Sequence, residues 1–530
     1  MVKHLLLAIA SGLLLALGWP TYGVPLLLFF GLVPLLLIEH QIRTSEGKWK
    51  AWKLFGYAYL SFFIWNFITT NWLQYADIFG ASFAILVNAL LMALVIIFYH
   101  KIAKRTTTRI SLIFLVCLWM SFEKLHLSWE FSWPWLNLGN GFSEYVSWIQ
   151  WYEYTGTFGG TLWVWVLNIV VFKAILNYKN QASKSVLKKA VLKIISLILI
   201  PIAISLIIYN TYKIEGETVN VIVLQPNIDP YSDKYNTSNS DIADLLIRLS
   251  NTKINNSTDF ILAPETVFAD NVKIRQFKNT LFKHKLDVFV GEHPNVNILS
   301  GISFIDFIYD PAKVGAESNV LKKGVWYNDY NSAMLINTKD SVQVYNKSKL
   351  VVGVENFPYQ EILKPLIGDA MIDLGGTVAM KTTQKNRSVF TSANNKFKAA
   401  PIICYESVYG EYVTGYVRNG ANFLAIITND AWWNDTQGHK QHLSYARLRA
   451  IETRRAVARS ANTGISAFIN ARGDIINTLA YNKQGALAGI ITTNSTQTFY
   501  VKAGDYLARI AIFIMLLIVL ITFFRKKNNT

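Results

Sequence analysis

The sequence predicts a polytopic α-helical membrane domain of about eight spans joined to a polar α/β domain outside the bilayer. Three observations carry that expectation. Long apolar runs crowd the chain before Lys213, and one more follows Asp505. Basic residues alternate between the connections of those runs. From Glu215 to about Tyr500 the pattern changes to short β-rich runs alternating with helical ones.

The first observation fits the composition. Of 530 residues, 52% are hydrophobic and only 16% charged, unlike an ordinary soluble chain. The runs are "LLLAIASGLLLALGW", "PLLLFFGLVPLLLI", "LFGYAYLSFFIWNFITTNWL", "ASFAILVNALLMALVIIFY", "ISLIFLVCLWMSF", "GTLWVWVLNIVVFKAIL", "VLKIISLILIPIAISLIIY" and "IAIFIMLLIVLITFF". Each approaches the ~20 residues that cross a bilayer. The first two are short and are readable as one hairpin around "GWPTYGVP". The basic start of the first run suits a signal peptide, but a second run follows at once, and a retained span is expected.

The second observation sets orientation. Lysine and arginine cluster in "EHQIRTSEGKWKAWK", "HKIAKRTTTR", "NYKNQASKSVLKKAVLK" and "RKKNNT", whereas "WPTYGVP" and "QYADIFG" carry none. The positive-inside rule then puts both termini in the cytoplasm and Lys213 to about Asp505 on the far side. The net charge of +17 is accordingly juxtamembrane rather than a nucleic-acid footprint.

The third observation gives the polar region. "TVNVIVLQPNI", "TDFILAPET", "LDVFVGEH", "NSAMLINT", "SVQVYNK", "AAPIICYE", "ANFLAIITND", "GISAFINARGDIINTLAY" and "LAGIITT" read as strands. "SDIADLLIRLSN", "VKIRQFKNTLFKH", "SVYGEYVTGYVRNG" and "LSYARLRAIETRRAVARSA" read as helices. The expected domains are 1–214 (transmembrane), 215–500 (catalytic, outside the membrane) and 501–530 (a last span with a short tail).

The chain has two cysteines, Cys117 in an apolar run and Cys404 in "APIICYES". A thiol without a partner in an oxidising compartment is either a buried small hydrophobe or is kept for reactivity. Two further groups end strand-like runs, Glu265 in "ILAPET" and Lys347 in "VQVYNKSKL", with Lys349 a neighbouring competitor. Active sites of α/β sheets gather at strand ends. One base, one cation and one thiol suffice for acyl transfer. His439 and His442 in "HKQH" lack a third ligand at useful spacing, so no metal is expected, and acyl transfer by a thiol, a base and a cation needs no cofactor. Trp432 and Trp433 are candidates either for packing or for dipping toward lipid.

The ordered set "PE", "YNKSKL", "CYE" resembles the carbon–nitrogen hydrolase (nitrilase) superfamily. With the membrane pattern, "PWLNLGN", "LQPNI" (Gln225, Asn227), "YNSAMLIN" and the dense stretch from "TNDAWWND" to "SAFIN", the chain looks like the apolipoprotein N-acyltransferase family over nearly its whole length. That resemblance implies a nitrilase-like α-β-β-α sandwich with Glu265 as general base, Lys347 as catalytic lysine and Cys404 as nucleophile. It also implies supporting roles for Glu355, Tyr405 and Glu406. The partners implied are a phospholipid acyl donor and a diacylglyceryl apolipoprotein acceptor at the bacterial inner membrane. The chain departs from the family's pattern at Val352, Gly353 and Val354 ("LVVGVE") and at Tyr235. A membrane-tethered amidase acting on another substrate, or a transporter with a periplasmic ligand domain, would share parts of this pattern.

Overall fold

The computed structural model describes residues 2–181, 183–230, 232–234, 236–367 and 379–524. The chain divides into two compact units, Met1–Thr211 with Ala503–Thr530, and Tyr212–Lys502.

The first unit is helical: α1 Val2–Leu17, α2 Val33–Thr44, α3 Lys50–Thr70, α4 Ile78–Ala103, α5 Thr108–Leu125, α6 Thr157–Gln181, α7 Lys184–Thr211 and a last helix, Tyr506–Phe524. Every apolar run of the sequence falls within one of these helices or a turn adjoining it. Among the described residues, five helical segments are long and apolar enough to cross a bilayer: Pro25–Thr44, Ile78–Ala103, Thr157–Gln181, Lys184–Thr211 and Tyr506–Phe524. Small residues let the helices approach closely, as apolar surroundings favour. A Cβ on Gly12 of α1 would stand 2.5 Å from the Ser61 carbonyl oxygen of α3, and Ser61 Oγ donates to the Ala8 carbonyl at 2.9 Å. Buried polar groups pair between helices: His100 with Glu39 at 2.8 Å, Asn88 with Asn66 at 2.7 Å. Lys124 at the end of α5 meets Asp505, just ahead of the last helix, at 2.8 Å.

The second unit holds two sheets. Its strands are β1 Thr218–Gln225, β2 Phe260–Leu262, β3 Phe268–Lys273, β4 Asn297–Ile308, β5 Asn319–Lys322, β6 Val325–Ile336, β7 Gln343–Asn346, β8 Phe390–Thr391, β9 Lys398–Ile403, β10 Phe423–Thr428, β11 Val457–Ala461, β12 Ser466–Ile469, β13 Ile475–Leu479 and β14 Gly485–Thr492. The first sheet runs β14-β1-β2-β4-β6-β5, with β3 on β4 and β7 on β6; the second runs β13-β12-β11-β10-β9-β8. The β1-β2-β4 and β9-β10-β11 stretches are parallel, so their carboxyl ends gather loops on one side, where α/β sites form. The sheets face each other; Phe260 of β2 meets Phe423 of β10 edge-on at 5.2 Å.

Helices α8 Asn239–Asn251 and α9 Leu281–Glu292 cover the first sheet. Their apolar stripe (Ile242, Leu246, Phe282, Leu286) buries against Ile222, Ile261, Ile298 and Met334. On the second sheet, α10 Gly410–Arg418 lies against β9, and α11 Gln437–Thr453 packs on α10. The layers run helix, sheet, sheet, helix.

Three local expectations are corrected. "LDVFVGEH" lies in helix α9, not a strand. The segment expected as helix before it begins as β3 and a 3-10 turn, with α9 starting only at Leu281. "VARSA" is strand β11, because Arg454 takes a left-handed φ of 51° that ends α11.

Candidate active site

Three strand ends bring the chemistry together. Glu265 follows β2 by three residues, Lys347 follows β7 directly, and Cys404 follows β9 directly. Lys347 Nζ donates to Glu265 Oε1 at 2.8 Å and to Glu355 Oε1 at 2.9 Å. Asn331 of β6, whose carbonyl accepts from the Lys347 backbone amide at 2.8 Å, donates its side-chain amide to the same two carboxylate oxygens at 2.8 and 2.9 Å. Glu265 Oε2 accepts from the Asn429 amide of the other sheet at 3.2 Å. All five side chains are buried; Lys347 is only 1% exposed. Lys349 instead lies over the Tyr409 ring at 4.9 Å.

Cys404 has a backbone φ of 49°, in the left-handed region that a β-carbon disfavours. Several groups hold it there. Its carbonyl accepts from Ser407 Oγ at 2.7 Å and lies 3.2 Å from His442 Nε2. His442 leans on Asp430 at 3.1 Å, and Asp430 is bound by Arg459 at 2.6 Å. Ahead of the cysteine, the Ile403 amide donates to Glu406 Oε2 at 2.9 Å.

Glu406 is fully buried. Its Oε1 accepts from Tyr345 and Tyr412 hydroxyls and from the Ser348 amide; its Oε2 accepts from Ile403 and Tyr416. It thereby ties the residue before the thiol to the residue after Lys347. Tyr405 is buried edge-on to Tyr409 at 5.2 Å. Glu355 closes the loop that departs from the family pattern. Its Oε2 accepts from the Val351 amide at 2.9 Å, and Gly353 takes φ 79°, which a glycine tolerates and a β-branched residue does not.

The charges divide as the geometry requires. Burial pushes the Cys404 thiol up, Glu265's negative charge pushes it further, and Lys347 opposes both. The resting sulfur is therefore protonated. Burial would raise Glu265, but Lys347's charge and hydrogen bond, with Asn331 and the charge of Lys234, hold it below the usual carboxylate range. Burial would lower Lys347, yet Glu265 and Glu355 outweigh it and hold the ammonium charged. The site is an ionised acid and a fixed cation beside a neutral thiol, the starting state for base-assisted attack.

Sequence reasoning missed Asn331, although "YNSAMLIN" had been singled out, and gave no role to Lys234 or to Asp430 and Arg459. His439 and His442 lie buried on α11. Among the described residues no group of His, Cys, Asp or Glu side chains is placed to hold a metal ion. Trp432 and Trp433 are both half-buried; Trp432 lies beneath Lys234 and Trp433 lies edge-on to His442. Gln225 is an anchor, its amide nitrogen donating to the Ala480 and Lys483 carbonyls at 2.7 and 2.8 Å. Tyr235 lies outside the described residues.

Two facing sheets whose strand ends deliver an acid, a lysine and a cysteine define a carbon–nitrogen hydrolase fold, and the family model described as "Carbon-nitrogen hydrolase" matches residues 312–499. The helical unit carries a second match, to the "Apolipoprotein N-acyltransferase N-terminal domain" over residues 11–170. Full-length relatives agree. The apolipoprotein N-acyltransferase of Chlorobaculum tepidum is 27% identical over 535 residues, covering 99% of this chain and 97% of that one. The apolipoprotein N-acyltransferase 1 of Treponema denticola is 27% identical, covering 99% and 98%. Among solved structures, a Saccharomyces cerevisiae member of branch 10 of the nitrilase superfamily is 14% identical, covers 53% of this chain and 92% of that one, and has a TM-score of 0.37. Over nearly its whole length the chain is similar to apolipoprotein N-acyltransferases.

Proposed function

We propose that this chain moves an acyl chain from a membrane phospholipid, through a thioester on Cys404, to the α-amine of the diacylglyceryl cysteine of an apolipoprotein. The observation that carries the reading is the buried meeting of Lys347 with Glu265 and Glu355, at the strand ends that also deliver Cys404. Glu265 takes the thiol proton. The thiolate attacks the ester carbonyl, and the Lys347 ammonium balances the oxyanion. Collapse breaks the ester C–O bond, and the proton held by Glu265 goes to the departing lysophospholipid. In the second half the amine attacks the thioester, its proton passes to Glu265 and on to the sulfur, and an amide and a free thiol result. Thioester to amide is downhill, which suits a reaction without a nucleoside triphosphate. A site this buried keeps water from the thioester.

In the same reading the chain crosses the inner membrane about eight times. The alternation of basic connections sets both termini in the cytoplasm and residues 215–500 in the periplasm. A catalytic domain tied to so many helices suits two lipid substrates.

The test is transfer itself. The full chain in mixed detergent–phospholipid micelles, with a labelled acyl donor and a synthetic diacylglyceryl-cysteine peptide, is expected to yield labelled N-acyl peptide. Release of labelled free fatty acid with no N-acyl peptide would contradict the reading and indicate a hydrolase.

A further inference from the structure

The charges around Lys347 do not balance by themselves. Two carboxylates, Glu265 and Glu355, share one ammonium in a buried pocket. One negative charge is left over, and a buried unbalanced charge is strongly disfavoured. The nearby Lys381 does not supply the balance, because both Asp329 oxygens take it up at 2.8 Å.

Among the described residues, a second cation that acts on Glu265 is Lys234. It is 7% exposed, and its Nζ donates to Thr266 Oγ1 at 2.5 Å, on the residue directly after Glu265. Its ammonium also stands 5.7 Å over the Trp432 ring, a face that favours a desolvated cation. Thr266 itself takes a left-handed φ of 44°, so the bond falls on the bend that aims the carboxylate of Glu265.

We propose that Lys234 is a positioning residue for the acyl-transfer reaction: it supplies a second positive charge beside the Glu265 carboxylate, and it fixes the turn that carries Glu265. The inference rests on the reading in which Glu265 takes the proton of Cys404. The groups that act on Lys234 agree with it. Burial pushes its ammonium down to about 8, Glu265 and Glu355 favour its charge, and Lys381 and Lys347 oppose it. The side chain is therefore still charged at neutral pH. Without it, Glu265 would lose one of the charges that hold its carboxyl down while the Glu355 carboxylate stayed beside it, and the base would be lost at the acid end.

The experiment is the pH profile of Cys404 alkylation by iodoacetamide, read by mass spectrometry on the full chain in detergent, beside formation of the acyl adduct by wild type. In Lys234→Met the acid limb is expected to move upward by about one pH unit. Lys234→Arg, which keeps the charge, should bring it back. Adding Glu355→Gln to Lys234→Met should also return it toward the wild-type position, because removing one carboxylate restores the balance. A merely structural lysine would lower the amplitude without moving the limb or responding to Glu355→Gln. Should Lys234→Met fail to fold, Thr266→Val removes the acceptor at nearly constant volume and is expected to move the limb the same way by less. Profiles that superimpose on wild type in the folded variants overturn the inference. Wild-type adduct formation with superimposed profiles would sink Lys234 alone; a moved limb with no adduct would sink acyl transfer and leave the charge role standing.

Discussion

Cys404 is held in a strained backbone conformation by groups that never touch the reacting atoms, and its thiol is neutral at rest. Cys404→Ser should therefore fold like wild type yet form no thioester, since a serine hydroxyl is far less nucleophilic beside a carboxylate base; thermal unfolding and intact mass check both halves. Lys347→Met should cost roughly 10²–10³ in acylation rate, the usual loss for one oxyanion donor, while Lys349→Ala, whose ammonium lies over Tyr409, should stay near wild type. Glu406→Gln is expected to destabilise by about 1–3 kcal/mol, because its two oxygens face five donors and an amide would turn a donor toward one of them; urea unfolding measures it. At this scale the sequence offered Glu265, Lys347 and Cys404 as strand-end groups, but the choice of Lys347 over Lys349 came from family likeness. Nothing in "CYES" says that Glu406 is taken up by three tyrosine hydroxyls and two amides, of which the Tyr345 hydroxyl and the Ser348 amide come from about sixty residues away.

Among elements, β4 is what sequence reading lost most completely. "NILSGISFIDFI" mixes polar and apolar residues without clean alternation, because the strand is central and buried on both faces over most of its length. Its Gly301 matters to the site. A Cβ there would stand 2.3 Å from the Thr266 amide and 2.7 Å from the Glu265 Cα. Gly301→Ala must push the Glu265 turn outward, and a displacement near 1 Å is expected to cost about 10²-fold in acylation rate, with a smaller effect on the unfolding midpoint. The misreading of "LDVFVGEH" has a different cause. Its short β-branched run looks like a strand, yet Phe282, Leu286, Phe289 and Val290 fall on one helical face and bury against the first sheet. The end of α11 was invisible because a left-handed arginine, rather than a glycine or proline, stops it.

For the whole molecule, the long apolar runs were legible as helices because bilayer thickness acts on sequence directly, whereas the orientation read from the basic connections is a proposal. A reporter fused after Lys213 is expected outside the cytoplasm, and cytoplasmic labelling of Glu215–Tyr500 would contradict the orientation. Stability should fall in acid. Burial opposes the ionised forms of Glu265 and Asp430, but Lys347 and Arg459 respectively outweigh it and hold both below their unfolded values. Their contribution is thus present above the unfolded carboxylate range, about pH 4, and is lost as pH falls through the folded values. The share of the thermal midpoint that these two carboxylates hold should drop below about pH 4 and be constant above about pH 5. The account turns on one covalent intermediate. Purified full chain incubated with phospholipid of a single acyl chain, then weighed intact, is predicted to gain one acyl mass on Cys404 that hydroxylamine removes. No gain in wild type, or an equal, hydroxylamine-labile gain in Cys404→Ser, would contradict it.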